Sequence, residues 1–325
     1  MGMGIVYTRG AAGISAPKVK VEVHLSNGLP SFKLVGLAET AVQEAKERVR
    51  SALINSGFEY PARRITVNLA PADIPKSGGR YDLAIALGIL IAMGLIEQSP
   101  VNSTEVAGEL SLNGDIRPVP GLLPVAMRCA ENNHTLVLPA GNEAEIQLVD
   151  NLEYLLPATL LNTFLHFTRQ QTLELKHTQN NIALPPPSPH WDDIIGQQQA
   201  KRALCIAAAG SHNLLMVGPA GTGKSLLASR LVSLLPQLNH QQALATAALY
   251  SVKGEQRGTE DWLTPPFRSP HHTSSAIALT GGGAHPQPGE VSLAHNGVLF
   301  LDELPEFGRQ ALDVLREPLE TGDIC

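Results

Sequence analysis

The stretch Gly218-Pro219-Ala220-Gly221-Thr222-Gly223-Lys224-Ser225 decides the fold of the second half of this chain. It follows the apolar run 214–217 and precedes a segment with helical periodicity at 224–234, which is the strand, loop and helix arrangement of a phosphate-binding loop. Its glycines allow consecutive backbone N–H groups to converge on phosphate oxygens at a helix N-terminus. Lys224 would bring a positive charge to the β- and γ-phosphates, and the Ser225 hydroxyl would hold Mg²⁺. Residues 218–225 therefore predict a site for a nucleoside triphosphate with Mg²⁺.

A second apolar run, 298–301, predicts a strand that ends in two carboxylates, Asp302 and Glu303. Asp302 would bind Mg²⁺ directly or through water, and Glu303 would act as the general base that polarises the attacking water. The expected catalytic residues are therefore Glu303 and Lys224. An isolated Asp-Glu pair is as often a solvated strand end, and the loop at 218–225 is what favours the catalytic interpretation.

The composition predicts about two folded domains. The chain has 325 residues, of which 43% are hydrophobic and 17% charged, enough for real cores. Its formal net charge is −6, so the chain as a whole is not a basic nucleic-acid-binding protein, and any polyanion site must be local. Residues 1–100 carry 11 basic and 8 acidic side chains, a weak basic bias.

Cysteine usage and apolar runs predict a cytoplasmic protein without membrane partners. The three cysteines are far apart and have no zinc-ligand spacing, which excludes a disulfide framework. No secretory signal is visible at residues 1–6. The longest apolar run, 83–96, is shorter than the roughly 20 residues of a membrane helix, so it predicts a buried helix.

Hydrophobic periodicity predicts an α/β fold, with an α+β first domain. In that domain it predicts strands at 18–24, 65–69 and 136–139, and a helix at 37–55 that Gly57 terminates. After a proline-rich linker at 170–190 it predicts a helix at 197–209, a strand at 213–217, a helix at 224–234 and a strand at 298–301. The expected domains are 1–169 and 191–325.

Together, the loop at 218–225 and the strand ending in Asp302 and Glu303 resemble the AAA+ ATPases. The stretch Trp191-Asp192-Asp193-Ile194-Ile195-Gly196-Gln197 is similar to the segment of that superfamily in which apolar side chains sandwich the adenine. The resemblance implies that Ile194, Ile195 and Gly196 contact the base of ATP.

Three further stretches, 268–272, 281–283 and 288–297, narrow the resemblance to the magnesium-chelatase-like AAA+ proteins of the ComM/YifB family. The resemblance implies a hexameric, ATP-driven DNA helicase that catalyses branch migration in homologous recombination during natural transformation. It implies ATP and Mg²⁺ as cofactors and branched or single-stranded DNA as partner.

The first half resembles the Lon-type protease domain, whose fold is similar to the second domain of ribosomal protein S5, through residues 75–79 and 108–122. Lon-type proteolysis needs a serine nucleophile and a lysine base. The matching positions hold Arg80 and Leu123, which implies that this domain lacks the dyad and serves assembly or DNA contact instead.

Several histidines and cations are weaker candidates. His271, His272, His285 and His295 have no ligand spacing for a metal, so they are structural or solvated unless they sense nucleotide or touch DNA. Arg63 and Arg64, and the basic positions of 46–50, would form a DNA face or a solvated surface, and the acidic residues within 46–50 favour the latter there.

Two alternatives to the helicase remain open. One is a chelatase subunit that drives Mg²⁺ insertion into a porphyrin, although chelatase motors are expected to resemble only the second half of the chain. The other is a non-catalytic assembly or binding fragment. The sequence stops about 22 residues after Glu303, before the sensor-1 strand, arginine finger and lid that the resemblance implies, so a truncated form with little ATPase activity is expected.

Overall fold

A computed structural model of the chain describes residues 2–36, 44–179, 191–255, 257–283 and 286–322. The chain divides into two compact units, Met1–Asn181 and Ile182–Cys325. The predicted helix at 37–55 is described from Ala45 to Asn55, and its first positions lie outside the described residues. Of the predicted linker, residues 180–190 lie outside them too.

The first unit alternates strands and helices. Its strands are Gly2–Arg9 (β1), Lys18–Ser26 (β2), Ser31–Val35 (β3), Arg64–Ala70 (β4), Thr104–Val106 (β5), Glu109–Leu110 (β6), Ile116–Arg117 (β7), Thr135–Val137 (β8), Glu153–Leu155 (β9) and Lys176–His177 (β10). Its α-helices are Ala45–Asn55 (α1), Asp82–Ala92 (α2), Leu122–Glu131 (α3), Glu143–Ile146 (α4) and Leu160–Phe167 (α5). The strands expected at 18–24, 65–69 and 136–139 are confirmed as β2, β4 and β8.

Eight of these strands form one mixed sheet in the order β10-β9-β8-β5-β1-β2-β4-β3. β2 lies between β1 and β4 and is antiparallel to both. β3 runs parallel to β4, and β5, β8 and β9 extend the sheet in parallel from β1. In this register His24 of β2 lies between Met3 of β1 and Thr66 of β4.

One face of the sheet forms the core, and α2 packs directly on it. Every residue of Asp82–Ala92 is buried, which confirms the predicted buried helix. Gly4 of β1 and Gly88 of α2 permit the close approach, because a Cβ on Gly4 would lie 2.3 Å from the Gly88 carbonyl oxygen. A Cβ on Gly88 would lie 2.6 Å from Val23 Cγ2. The opposite face of β1 to β4 carries the polar positions of the alternating strands.

The second unit consists of shorter elements. Its α-helices are Gln198–Gly210 (α6), Lys224–Arg230 (α7), His240–Lys253 (α8), Ala276–Thr280 (α9), Glu290–Leu293 (α10), Arg309–Asp313 (α11) and Arg316–Thr321 (α12). Its strands are Phe267–Arg268 (β11), Gly281–Gly282 (β12), Gln287–Pro288 (β13) and Val298–Leu299 (β14). β11 and β14 pair in parallel, and β12 and β13 pair antiparallel. The helices predicted at 197–209 and 224–234 are confirmed, the second continuing from α7 as a 3₁₀ turn over Leu231–Leu234.

The prediction of a strand at 213–217 is wrong. Among the described residues this segment has no strand hydrogen bonding, and Leu215 and Val217 are 72% and 88% exposed. A strand exists only where a neighbouring strand completes its ladder, and the described part of the second unit places no strand beside this segment. The predicted strand at 298–301 forms over its first two residues, and the Phe300 N–H continues the ladder to the Arg268 carbonyl oxygen.

Candidate nucleotide site

Glycines shape the loop that precedes α7. Gly223 immediately precedes the helix at φ 85°, and Gly221 has φ 76°. This left-handed region is costly for residues with a Cβ, so glycine is the residue that the turn requires at both positions. Lys224 and Ser225 are then the first two residues of the helix, where backbone N–H groups have no partner within the helix.

The Lys224 ammonium group lies over the loop. Its Nζ donates hydrogen bonds of 2.9 Å and 2.8 Å to the carbonyl oxygens of Gly218 and Pro219. Thr222 Oγ1 also donates to the Pro219 carbonyl oxygen, at 2.9 Å. These contacts keep a positive charge at the loop where a phosphate would bind.

Ser225 and Asp302 meet across 77 residues of sequence. The Ser225 hydroxyl donates a hydrogen bond of 2.7 Å to Asp302 Oδ2, and Asp302 Oδ1 accepts the N–H of Glu303 at 3.0 Å. A hydroxyl and a carboxylate in contact provide the hard oxygen ligands that Mg²⁺ prefers. These residues fit a Mg²⁺ ion that would be completed by phosphate oxygens and water.

Glu303 follows Asp302 in a left-handed backbone conformation, with φ 53°. This conformation is uncommon for a residue with a side chain, and such residues concentrate at functional sites. The Glu303 side chain is 68% exposed, so its carboxylate is open to a water molecule.

His272 lies near Glu303, a proximity that the sequence did not predict. His272 Nδ1 lies 3.8 Å from Glu303 Oε2, and the rings of His271 and His272 are 4.0 Å apart between centroids. Their proximity follows from the strand register, which the sequence does not reveal. Arg268 pairs with Leu299, and His272 and Glu303 lie four residues after Arg268 and Leu299, respectively.

Arg268 anchors the strand that leads to His272. Its guanidinium donates to both carboxylate oxygens of Glu290, at 2.6 Å and 2.7 Å, and one nitrogen lies 3.4 Å from Glu255. The hydrogen bonds that Arg268 donates to Glu290 raise the pKa of Arg268, against the desolvation that lowers it. This bidentate pair joins β11 to the first residue of α10.

The residues expected to contact adenine lie beside the loop but in different environments. Ile194 is buried against Leu204 of α6 and Leu227 of α7, whereas Ile195 is 94% exposed and Gly196 has φ 74°. Of these two apolar side chains, Ile195 is therefore the one open to a ligand.

Two polar contacts attach this segment to the nucleotide loop. Asp193 Oδ2 lies 3.6 Å from Arg230 Nη2, and the Gln197 side chain donates to the Thr222 carbonyl oxygen at 3.4 Å. The segment 191–197 thus contacts both α7 and the loop.

The histidines do not assemble a metal centre within the described ranges. No group of three His, Cys, Asp or Glu side chains there has the arrangement of a metal site, and His285 lies outside those ranges. His271 Nδ1 instead lies 2.9 Å from Thr273 Oγ1.

Both halves of the chain match sequence families of known proteins. A sequence model described as magnesium chelatase, subunit ChlI, matches residues 190–325, and one described as subunit ChlI of Mg-chelatase matches residues 21–142. The YifB protein of Escherichia coli strain K12 and the competence protein ComM of Haemophilus influenzae are each 50% identical to this chain, over 334 and 329 residues. Both alignments cover 100% of this chain. The chain belongs to the magnesium-chelatase-like ComM/YifB family.

This ComM/YifB-family chain spans 64% of the length of those two relatives. It also resembles Lon protease 2 of Bacillus subtilis, with 29% identity over 138 residues that cover 40% of this chain and 25% of that protease. The α/β fold class is confirmed, with a Lon-like first unit and the P-loop elements in the second.

The two positions that are expected to match the Lon dyad are both buried. Arg80 is 4% exposed and donates through Nη2 to the Pro120 carbonyl oxygen, and Leu123 is 1% exposed. Neither side chain offers a nucleophile or a base. Burial lowers the pKa of Arg80, because removal from water penalises its charged form.

No helix in the described parts of the chain combines the length and the apolar character that crossing a bilayer requires.

Proposed function

We propose that this chain binds ATP with Mg²⁺ at residues 218–225 and Asp302. The observation that carries this proposal is the 2.7 Å hydrogen bond between Ser225 and Asp302, which joins the loop to the acidic end of β14. Lys224 would hold the β- and γ-phosphates, and Ile195 with Gly196 would border the base. Ile194 would support that border from the core, since it is buried beneath it.

We propose that ATP hydrolysis uses Glu303 as general base. Its exposed carboxylate would accept a proton from the attacking water, while Lys224 stabilises charge on the transferring phosphate. Bound Mg²⁺ would supply further charge neutralisation on the phosphate oxygens. His272, 3.8 Å away, would restrict the orientation of the Glu303 side chain.

We infer that the whole protein is a hexameric, ATP-driven DNA helicase of the cytoplasm that catalyses branch migration during recombination in natural transformation. The support is 50% identity to a relative described as a competence protein, together with the nucleotide-site geometry. The test measures ATP turnover alone, with single-stranded DNA and with a four-way junction. Stimulation by DNA and unwinding of the junction are expected, and ATP turnover that ignores every DNA would overturn the helicase proposal.

Lys224→Ala tests the nucleotide site separately from the DNA step. Loss of the ammonium group is expected to weaken binding of a fluorescent ATP analogue by about tenfold or more, because a charged hydrogen bond is removed from the phosphates. Lys253→Ala is the matched control, since Lys253 is exposed at the end of α8. Equal affinities of Lys224→Ala and the unmodified chain would refute the phosphate assignment.

A chelatase subunit is the second candidate, favoured by the two matching ChlI models. The expectation that chelatase motors resemble only the second half of this chain is not met, because one ChlI model matches residues 21–142. Co-purification with a porphyrin-binding subunit and ATP-dependent Mg²⁺ insertion into a porphyrin would support this candidate. Absence of both activities, with DNA-stimulated ATP turnover, would eliminate it.

A further inference from the structure

The first unit has a sheet surface with a distinctive charge pattern. α2 packs on the core face of β1 and β2, so the alternate residues of β1 to β4 point to the other side. We call this side the open sheet face and define it by Lys18, Lys20, Glu22, Lys33 and Arg64. Four of these five side chains are cationic, although the chain as a whole has a net charge of −6.

Three of the four cations on the open sheet face have no internal counter-ion. Lys20 Nζ lies 2.6 Å from Glu22 Oε1, so these two charges compensate each other. Lys18, Lys33 and Arg64 are exposed, and none forms a salt bridge within the described ranges. Lys18 instead lies over the Tyr7 ring, with Nζ 4.1 Å from the ring centroid.

Several cations on the helical side of the first unit are paired with carboxylates. Arg48 Nε lies 2.6 Å from Asp82, Arg128 lies 2.8 Å from Glu131, and Lys46 lies 3.6 Å from Glu47. The cations at 46–50 that the sequence offered as an alternative DNA face thus include two with carboxylate partners. Arg50, the third cation of that segment, has no carboxylate partner among the described residues and lies 5.5 Å from the Tyr60 ring centroid. On the open sheet face, the exposed cations without a carboxylate partner in the described residues are Lys18, Lys33 and Arg64.

The strand register spreads these cations over the face. Lys18 begins β2, Arg64 begins the antiparallel β4 opposite Ser26, and Lys33 lies on the edge strand β3 opposite Thr66. At about 3.4 Å per residue along a strand, Lys18 and Arg64 are roughly 27 Å apart along the sheet. An elongated polyanion fits this spacing, and a single phosphate does not.

We propose that the open sheet face binds the phosphate backbone of single-stranded DNA. This inference rests on the proposed DNA-dependent function and names the surface that contacts DNA. A flexible single strand can follow cations scattered over several strands of a sheet, whereas a rigid duplex touches a flat surface along a narrow strip. Because the face offers cations and few aromatic rings, the contact is with phosphates and is independent of base sequence.

The salt dependence of binding tests this surface. The full chain is titrated against fluorescent oligothymidine at several salt concentrations, and the triple variant Lys18→Gln, Lys33→Gln, Arg64→Gln is compared with it. Each lost phosphate contact lowers the slope of log affinity against log salt by about 0.7 for a single strand, so a decrease of about 2 is expected. The affinity at low salt is expected to fall at least tenfold.

A charge-matched control separates the surface from net charge. The triple variant Lys46→Gln, Arg117→Gln, Arg169→Gln removes the same charge from exposed positions outside the open sheet face. It is expected to bind oligothymidine within about twofold of the unmodified chain, because only contacting cations release counter-ions. An equal loss in both triple variants would overturn the proposal.

Glu22→Gln is expected to strengthen DNA binding, and misfolding would not produce that effect. It removes the anion of the open sheet face and frees Lys20 from its 2.6 Å partner, so affinity for oligothymidine is expected to rise several-fold. Unchanged or weaker binding by Glu22→Gln would count against the surface.

Two further measurements show which part of the proposal is wrong if binding differs from the expected result. A duplex of the same length that binds as tightly, with the same loss in the Lys18, Lys33 and Arg64 variant, would overturn the single-strand assignment. If the unmodified chain binds no DNA while it still binds the ATP analogue, the proposed DNA function fails. If it binds DNA and the Lys18, Lys33 and Arg64 variant binds equally well, only the surface is wrong.

Discussion

The Ser225 hydroxyl donates a 2.7 Å hydrogen bond to the carboxylate of Asp302. Ser225 is the second residue of α7, and Asp302 follows β14, so the contact joins the nucleotide loop to the carboxyl end of the β11–β14 pair. Both groups are oxygen ligands suited to Mg²⁺. The metal and the phosphates would therefore share one small region of the second unit.

Asp302→Asn is expected to abolish the Mg²⁺-dependent part of nucleotide binding. The amide keeps the shape and can still accept the Ser225 hydroxyl, but it lacks the negative charge that attracts the cation. Affinity for the ATP analogue should fall about tenfold in Mg²⁺ and stay unchanged in EDTA, as measured by fluorescence titration. Asp313→Asn, at an exposed position of α11, is the control. An undiminished response to Mg²⁺ would show that Asp302 is not a ligand.

In the whole protein, Glu303→Gln is expected to bind ATP normally and to hydrolyse it about 10² to 10⁴ times more slowly, because the amide cannot accept a proton. His272→Ala should give a smaller loss of kcat without a change in nucleotide affinity, since the proposed role of His272 is to orient Glu303, from which it lies 3.8 Å away. His271→Ala provides the neighbouring control. Steady-state turnover and nucleotide binding are measured on the same preparations. Normal turnover by Glu303→Gln would overturn its assignment as the base.

The accuracy of prediction from sequence differs between elements for a physical reason. β2 and β4 were predictable because each has one buried and one solvated face, so apolar and polar residues alternate along their sequences. The apolar run 213–217 also resembles a strand, but no local pattern states whether a neighbouring strand will pair with it.

Within the candidate site, the sequence predicted a side-chain contact only where a known motif links the two residues. The loop and the Asp-Glu pair anticipated that Ser225 and Asp302 would serve one metal, and the structure brings the two side chains into contact. The proximity of His272 to Glu303 depends on the register between β11 and β14, and the exposure of Ile195 depends on how 191–197 packs. Tertiary packing, not residue type, determines both.

Asp82→Ala is expected to destabilise the first unit by about 3 kcal/mol, because it removes the buried carboxylate that pairs with Arg48 and accepts the Leu110 N–H at the start of α2. The Asp82 side chain is fully buried, contacts Arg48 Nε at 2.6 Å and accepts the Leu110 N–H at 3.3 Å. Glu131→Ala removes one member of the exposed pair with Arg128 and should cost no more than about 1 kcal/mol. Thermal or urea unfolding of both variants makes the comparison. Equal small losses would show that the buried pair contributes no more than an exposed one.

His166 is expected to make the first unit less stable as the pH falls below about 6.5. Its Nδ1 accepts the Leu173 N–H at 3.1 Å, which requires a lone pair on that nitrogen, and burial lowers the pKa of the imidazole. As the pH falls, the His166 imidazole is protonated first in the unfolded chain, because its pKa is higher there than in the folded chain. This contribution to stability is therefore complete above the pKa of the unfolded chain and is lost as the pH falls towards the pKa of the folded chain.

His166→Gln should flatten this pH dependence, because the glutamine side chain can still accept the Leu173 N–H but does not titrate. His177→Gln, at an exposed position of β10, should keep the dependence of the unmodified chain. The free energy of unfolding is measured between pH 7.5 and 5.5 for all three proteins, together with amide exchange at Leu173 corrected for its intrinsic rate. If His166→Gln loses stability towards acid as steeply as the unmodified chain, the dependence arises from other groups.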